Sequence, residues 1–454
     1  MLDLLAKRSW RLLIPIALIL AACGTSEFEP AISSGTAAPD ALDAPRSLAA
    51  LDQPSLDAAT GHTHVRSDGN RYAEGQAGLP NSPATDISLG DTPAWVVGAP
   101  FGDGVLWAVV LESGDARAYI SAPGEEIEEV LLSVVGRSAS PPTLVVDGDR
   151  VRLLRADETQ NSLSPPVYAG LSPTFAFLDD GDLLFQEGGP VKGRSLDSPP
   201  DARLLTDEIG RLLLLTGATE RYPHGVTGDR IEASGFRLFS ETLRDDGVVD
   251  ASLEGDSVFE GSSPIWTDLD DDGEREIILT RSDAANGAQL VVYDETGALI
   301  ARSPAIGRGS RWRHQIAAAP FGPGGATEVV DVLTPHIGGV VEFFRLAGSE
   351  LVLAASLPGY SSHRIGSRNL DMAAAADFDG DGRVELLLPD DSMSRLAAIR
   401  RTLTGTGGNG AEEVWSLELP AGMSTNLGVA TRADGRIEVA IGFENETLRL
   451  WRAP

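Results

Sequence analysis

The sequence predicts an all-β fold assembled from repeated four-stranded units, and three observations predict it. A glycine and a glutamate three residues apart recur as Gly273/Glu276, Gly325/Glu328, Gly382/Glu385 and Gly435/Glu438, at steps of roughly 50 to 57 residues. Each recurrence leads into short apolar runs broken by turn residues, which is the rhythm of strands and not of helices. Two of the four, Asp268-Leu-Asp-Asp-Asp-Gly-Glu-Arg-Glu276 and Asp377-Phe-Asp-Gly-Asp-Gly-Arg-Val-Glu385, share the pattern Asp-x-Asp-x-Asp-Gly-x-x-Glu.

Within the units the strands follow in order. In the first, strands are expected at residues 265–267, 276–280, 289–293 and 299–302, with turns at Asn286-Gly287 and Glu295-Thr296-Gly297. The next unit places them at 315–318, 328–333, 341–346 and 351–354, and the one after at 372–376, 385–388, 396–400 and 414–419. The leading strands are small and apolar (Ala317, Ala318 and Ala319; Ala373 to Ala376), which suits close approach at a crowded axis. Four short antiparallel strands in about 50 residues is the period of a β-propeller blade. Weaker echoes lie earlier, in Trp95-Val-Val-Gly-Ala-Pro-Phe-Gly102, Val145-Val-Asp-Gly-Asp and Phe177-Leu-Asp-Asp-Gly-Asp. Residues 93–454 therefore divide into about seven four-stranded blades. Closure into a ring is expected over a linear solenoid, because it removes exposed strand edges.

Charge and cysteine use narrow the function. The net charge of −31, from 36 basic and 67 acidic residues, argues against nucleic acid, which demands clustered Lys and Arg. It equally disfavours adhesion to anionic lipid by charge alone. A single cysteine rules out an intramolecular disulfide, so stability rests on packing, β ladders and metal.

Residues 1–22 read as a signal peptide, with Lys7, Arg8 and Arg11 before the apolar run Leu12 to Leu20. That run is too short to span a bilayer as a helix. It ends in Leu20-Ala21-Ala22-Cys23, which resembles the lipobox of bacterial lipoproteins. The resemblance implies cleavage before Cys23, lipidation of its thiol, and a membrane anchor of several acyl chains. Gly24 in place of Asp at the next position implies the outer membrane by the enterobacterial sorting pattern. Residues 23–92 are expected as the lipidated cysteine and a flexible linker, rich in Ala, Ser, Pro, Asp and Gly without apolar periodicity. His62-Thr63-His64 falls in this linker with no third ligand in view.

On these motifs the units resemble the FG-GAP and VCBS repeats of the integrin-α type propeller and its bacterial relatives. Phe101-Gly102 and Phe321-Gly322 supply the FG element, each after Ala-Pro, and Gly98-Ala99-Pro100 resembles GAP. The resemblance implies Ca²⁺ at two ligand sets: Asp268, Asp270, Asp272 and Glu276, then Asp377, Asp379, Asp381 and Glu385. The chemistry agrees, since Ca²⁺ takes six to eight oxygens and alternate Asp residues in a tight loop aim carboxylates inward. Gly273 and Gly382 permit the sharp turn. An EF-hand is excluded because Leu279 and Leu388 stand where its bidentate Glu belongs. The loops at 320–328 and 430–438 keep the glycine and glutamate but lack the carboxylates, and are expected to be metal-free.

No nucleophile elbow, His-Glu-x-x-His or phosphate-binding glycine loop occurs. His224, His314, His336 and His363 are the remaining histidines, and the placing of His314 and His363 before leading strands makes them candidates for one ligand-binding face. The expected function is a cell-envelope binding or scaffold module for a protein or glycan partner. The alternative is a polysaccharide-acting enzyme with carboxylates or histidines converging on the central channel; fold alone does not separate them.

Overall fold

The computed structural model describes residues 45–243, 247–403 and 409–452. The expected signal peptide and lipidated Cys23 lie outside the described residues. Residues 45–454 form one compact unit, and the only helical element among the described residues is a single 3-10 turn, Pro323–Gly325. The fold is all-β with many sheets.

Eight antiparallel units follow one another in chain order. Unit 1 pairs Pro93–Phe101, Gly104–Leu111, Ala116–Ser121 and Glu128–Leu131 in succession. Unit 2 is built on the hairpin Thr143–Asp147 and Arg150–Leu154, and unit 3 on four strands from Val167–Ala169 to Lys192–Ser195. A thirteen-stranded sheet holds three more: unit 4 (205–252), unit 5 (265–302) and unit 6 (313–358). Unit 7 runs from Ala374–Asp377 to Asn409–Glu418, and unit 8 from Gly428–Thr431 to Thr447–Trp451. The expected strands of units 5 to 7 are present with ends moved by a few residues, for instance Glu276–Asp283 and Gly287–Tyr293. Where about seven units were expected from residues 93–454, eight are present among the described residues, because unit 2 is a short hairpin that takes further strands from Ala49–Ala50 and Ala59–His62.

Each unit shares a buried apolar cluster with the next. Trp95 and Val97 of unit 1 meet Leu144 and Val146 of unit 2; Val145 and Leu154 of unit 2 meet Tyr168 and Phe175 of unit 3; one large cluster runs through units 3, 4 and 5. Further clusters join 5 to 6, 6 to 7 and 7 to 8. The last joins Ala430, Ala440 and Leu450 of unit 8 to Val96 and Trp107 of unit 1. Trp107 and Trp266 are wholly buried, each worth at least the roughly 1.5–3 kcal/mol of a large buried apolar side chain.

The flexible linker expected up to residue 92 is corrected from Pro45 onward. Arg46–Ser47 pairs with the outer strand of unit 1, Ala49–Ala50 and Ala59–His62 complete unit 2, and Tyr72–Gln76 pairs with the leading strand of unit 7. Ala84–Ser88 then becomes the outer strand of unit 8, in register from Thr447↔Ser88 to Trp451↔Ala84. These strands are too short and polar to show a period of their own. Their partners lie far along the chain, and pairing there is what makes them strands.

Between these strands, residues 59–77 form a strap across the inner edges of the units. The Thr206 amide donates to the Ser67 carbonyl (2.9 Å), Trp266 to Asp68 (3.0 Å) and Ala375 to Arg71 (2.8 Å). Asn70 binds Ala318 through both its amide atoms. Gly61 packs so closely on Gly98 that a Cβ would sit 2.4 Å from its carbonyl oxygen. His62 and His64, assigned to a floppy linker by the sequence, are buried here.

Candidate cation loops and axial clusters

Both acidic loops join the first two strands of their units, between Ile265–Thr267 and Glu276–Asp283 and between Ala374–Asp377 and Glu385–Pro389. They are built alike. Asp268 accepts the amides of Asp271 (2.8 Å) and Gly273 (3.0 Å), and Asp377 those of Gly380 (2.8 Å) and Gly382 (2.9 Å). Gly273 and Gly382 adopt φ of 92° and 86°, where side-chain-bearing residues are strained. Glu276 reaches back to the Leu269 amide (2.7 Å) and Glu385 to the Phe378 amide (2.9 Å).

This folding-back gathers Asp268, Asp270 and Glu276, and likewise Asp377, Asp379 and Glu385, with one ligand oxygen from each within 4.8 Å of the others. Oxygens lying about 2.3–2.6 Å from a common Ca²⁺ are separated by no more than about 5 Å, so the sets fit that ion. The third Asp of each motif stands apart from these clusters. Asp272 accepts the Glu274 amide (2.8 Å), and Asp381 pairs with Arg400 at 2.6 Å.

The buried glutamate of each loop is held away from its ionised form. Burial, reinforced by Asp270, Asp272 and Asp268 and only partly offset by the Leu269 amide, pushes Glu276 up to about 7. Burial with the charges of Asp379, Asp381 and Asp377 pushes Glu385 to about 8 against the Phe378 amide. Glu385 is 0% exposed, and its Oε1 has no hydrogen-bond partner.

The glutamates of the two loops without the Asp series have an arginine beside them instead. Glu328 of unit 6 is buried against Arg401 of unit 7, at 2.7 Å from its Nε. In unit 8, Arg432 stands in register with Asp379 and lies 3.9 Å from Glu438; Glu438 also accepts from the Trp107 indole at 3.4 Å.

The four candidate ligand-face histidines partly converge. His336 Nε2 lies 2.6 Å from His363 Nδ1, and His363 Nε2 lies 2.7 Å from the Ser367 carbonyl. A carbonyl only accepts, so His363 donates to it, and its Nδ1 accepts the His336 proton. Trp312 stacks on His314 with centroids 4.7 Å apart, and His314 Nδ1 contacts Ser362 Oγ at 2.8 Å. Burial lowers His363 to about 4, so the ring is neutral at physiological pH. His224 sits apart from these ring contacts, held by Glu260 at 2.7 Å, which also binds Ser282. The arrangement is a network of fixed protons.

Sequence reasoning missed the polar knot at the strap. Asp371 accepts from Arg71 Nε (3.0 Å), Arg203 Nη2 (3.0 Å) and Thr63 Oγ1 (2.6 Å). Burial opposes its ionisation, but Arg203 and Arg71 outweigh it and hold Asp371 well below the usual carboxylate range. No local motif announces this group. By contrast, Arg432 at an Asp position was legible in the loop register.

No family model matches the chain. It is 27% identical over 212 residues to the urease accessory protein UreD of Rhodopseudomonas palustris, covering 42% of this chain and 74% of that protein. Among solved structures it is similar to BBS1N in complex with ARL6DN (11% identity, TM-score 0.45, 86% of this chain and 98% of that one). It is also similar to a europium-containing methanol dehydrogenase (12% identity, TM-score 0.42, 84% and 89%).

Proposed function

We propose that the chain is a bacterial cell-envelope lipoprotein, anchored through Cys23, that presents a closed eight-bladed β-propeller as a binding or scaffold module stabilised by Ca²⁺. The observation that carries the calcium reading is Glu385: fully buried, one oxygen unpartnered, and surrounded by carboxylates. A buried anion needs compensation, and Asp268, Asp270 and Glu276, with Asp377, Asp379 and Glu385, would hold a cation that supplies it. Calcium here contributes charge and loop rigidity.

The closed-ring reading is supported by the apolar cluster between units 8 and 1 and by the Ala84–Ser88 strand that completes the last blade. The FG-GAP and VCBS resemblance rests on the motifs quoted above. The partner, protein or glycan, would meet a propeller face, with the loops of His224, His336 and His363 on the end opposite the acidic loops. The strap across the axis favours binding over channel chemistry.

Metabolic labelling with palmitate tests the anchor. The wild type should be labelled and sediment with membranes, and Cys23→Ser should be unlabelled and released. An unlabelled wild type sinks the lipoprotein reading. Pull-down from envelope extracts with calcium or EGTA then tests the module: a partner retained only with calcium is expected.

A further inference from the structure

Among the contacts that hold the strap, two belong to the acidic loops. At one, Arg275, the residue before Glu276, donates through Nη1 to Asp68 Oδ2 at 3.1 Å and to the Trp266 carbonyl at 2.7 Å. Its Nη2 pairs with Glu208 of unit 4. At the other, the Asp377 carbonyl accepts the Ala77 amide at 2.8 Å, and Asp377 is in register with Gln76. Gly380, within the same loop, packs so tightly that a Cβ would lie 2.9 Å from the Ala77 carbonyl oxygen. Asp68 is 3% exposed, so if Arg275 moves, the Asp68 charge is left with Arg66, 3.0 Å away, and no solvent.

From this placement we infer that the two cation loops are latches for the N-terminal strap, and that calcium occupancy controls how firmly the strap is seated at Asp68 and at Ala77. The inference rests on the calcium reading above and names what that calcium regulates. With the ion bound, each loop is rigid and presents Arg275 or the Asp377 carbonyl at a fixed position. Without it, mutual repulsion of the carboxylates loosens the loop, and the grip nearest to it loosens too. The interlocked central strands of the units have no such dependence. Strap release is therefore a local opening and not global unfolding.

Hydrogen exchange of the full chain in detergent, followed by mass spectrometry, tests this. In EGTA the amides of residues 66–77 should exchange at least about tenfold faster than in saturating calcium, while Gly104–Leu111 stays equally protected. Asp68→Asn keeps an acceptor for the Asn70 amide but loses the ion pairs with Arg275 and Arg66. It should leave calorimetric calcium binding intact, make residues 66–71 exchange rapidly with or without calcium, and leave 76–77 calcium-dependent. Calcium binding with identical strap exchange in both conditions overturns the latch and leaves the cation sites standing. No heat of calcium binding in the wild type overturns the cation reading, and the latch with it.

Discussion

Four loops at equivalent places in their units end in a buried glutamate, and they differ in what neutralises it. In unit 6 a guanidinium does so, Arg401 from the neighbouring unit for Glu328, while in unit 8 Arg432 of the loop pairs with Asp434 and lies 3.9 Å from Glu438. In units 5 and 7 no arginine reaches Glu276 or Glu385, and each lies instead among other carboxylates. The comparison teaches that the glutamate is the constant requirement of the turn, where it binds the backbone of its own loop in units 5 and 7. The counter-charge is interchangeable. On the proposed reading it is part of the chain in unit 6 and taken from solution in units 5 and 7, so a calcium response is expected from the latter.

The largest expected effect breaks the covalent half of the comparison. Arg401→Met leaves Glu328 buried without a cation, and should destabilise the fold by about 3–5 kcal/mol in urea denaturation. Calcium should restore none of it. A loss below about 1 kcal/mol would mean Arg401 is not the counter-charge.

Next comes the half supplied from solution. Calcium at a hundredfold excess over its Kd should stabilise by about 2.7 kcal/mol per site, seen as a higher melting temperature in calcium than in EGTA. Extracellular modules bind in the ~10⁻⁴–10⁻³ M range, so millimolar calcium yields part of this. Asp270→Ala with Asp379→Ala should flatten the response. Asp379→Arg, which copies the loop of unit 8, should abolish one site's share, and Asp434→Ala should leave both. Equal responses from the first and last of these variants would end the distinction between the loop pairs.

The smallest effect sharpens it through pH. Glu276 and Glu385 keep their protons to about 7 and about 8 in the folded chain, against an ordinary 4.5. A carboxyl raised on folding stabilises below its unfolded pKa, and that contribution is lost as pH rises through the folded value. In EGTA the melting temperature should therefore decline between about pH 5 and 8. Calcium, which binds the ionised loops, should stabilise more at pH 8 than at pH 5. A calcium increment that is the same at both would separate these glutamates from the ion.

Much of the candidate site was legible because its signals are local. The Asp-x-Asp-x-Asp-Gly-x-x-Glu spacing reads directly as a turn, since the Asp268 and Asp377 side chains bind amides only three and five residues ahead. The pairing of Asp381 with Arg400 was not legible, because Arg400 lies on another strand. The histidine face was half legible: position before a leading strand brought His314 and His363 together, but Trp312, which their packing requires, carries no signal of its own.

By itself the sequence determined the strand repeat, the loop positions and the glutamate that closes each turn, because these follow from backbone periodicity and contacts a few residues apart. Only the tertiary structure decided the role of residues 45–92, whose partners lie far away, as with Thr63 on Asp371 across 308 residues. It likewise decided which buried glutamates meet an arginine. Long-range pairing is a property of the assembled sheets, where burial makes a missing counter-charge costly, and no local pattern of residue types encodes it.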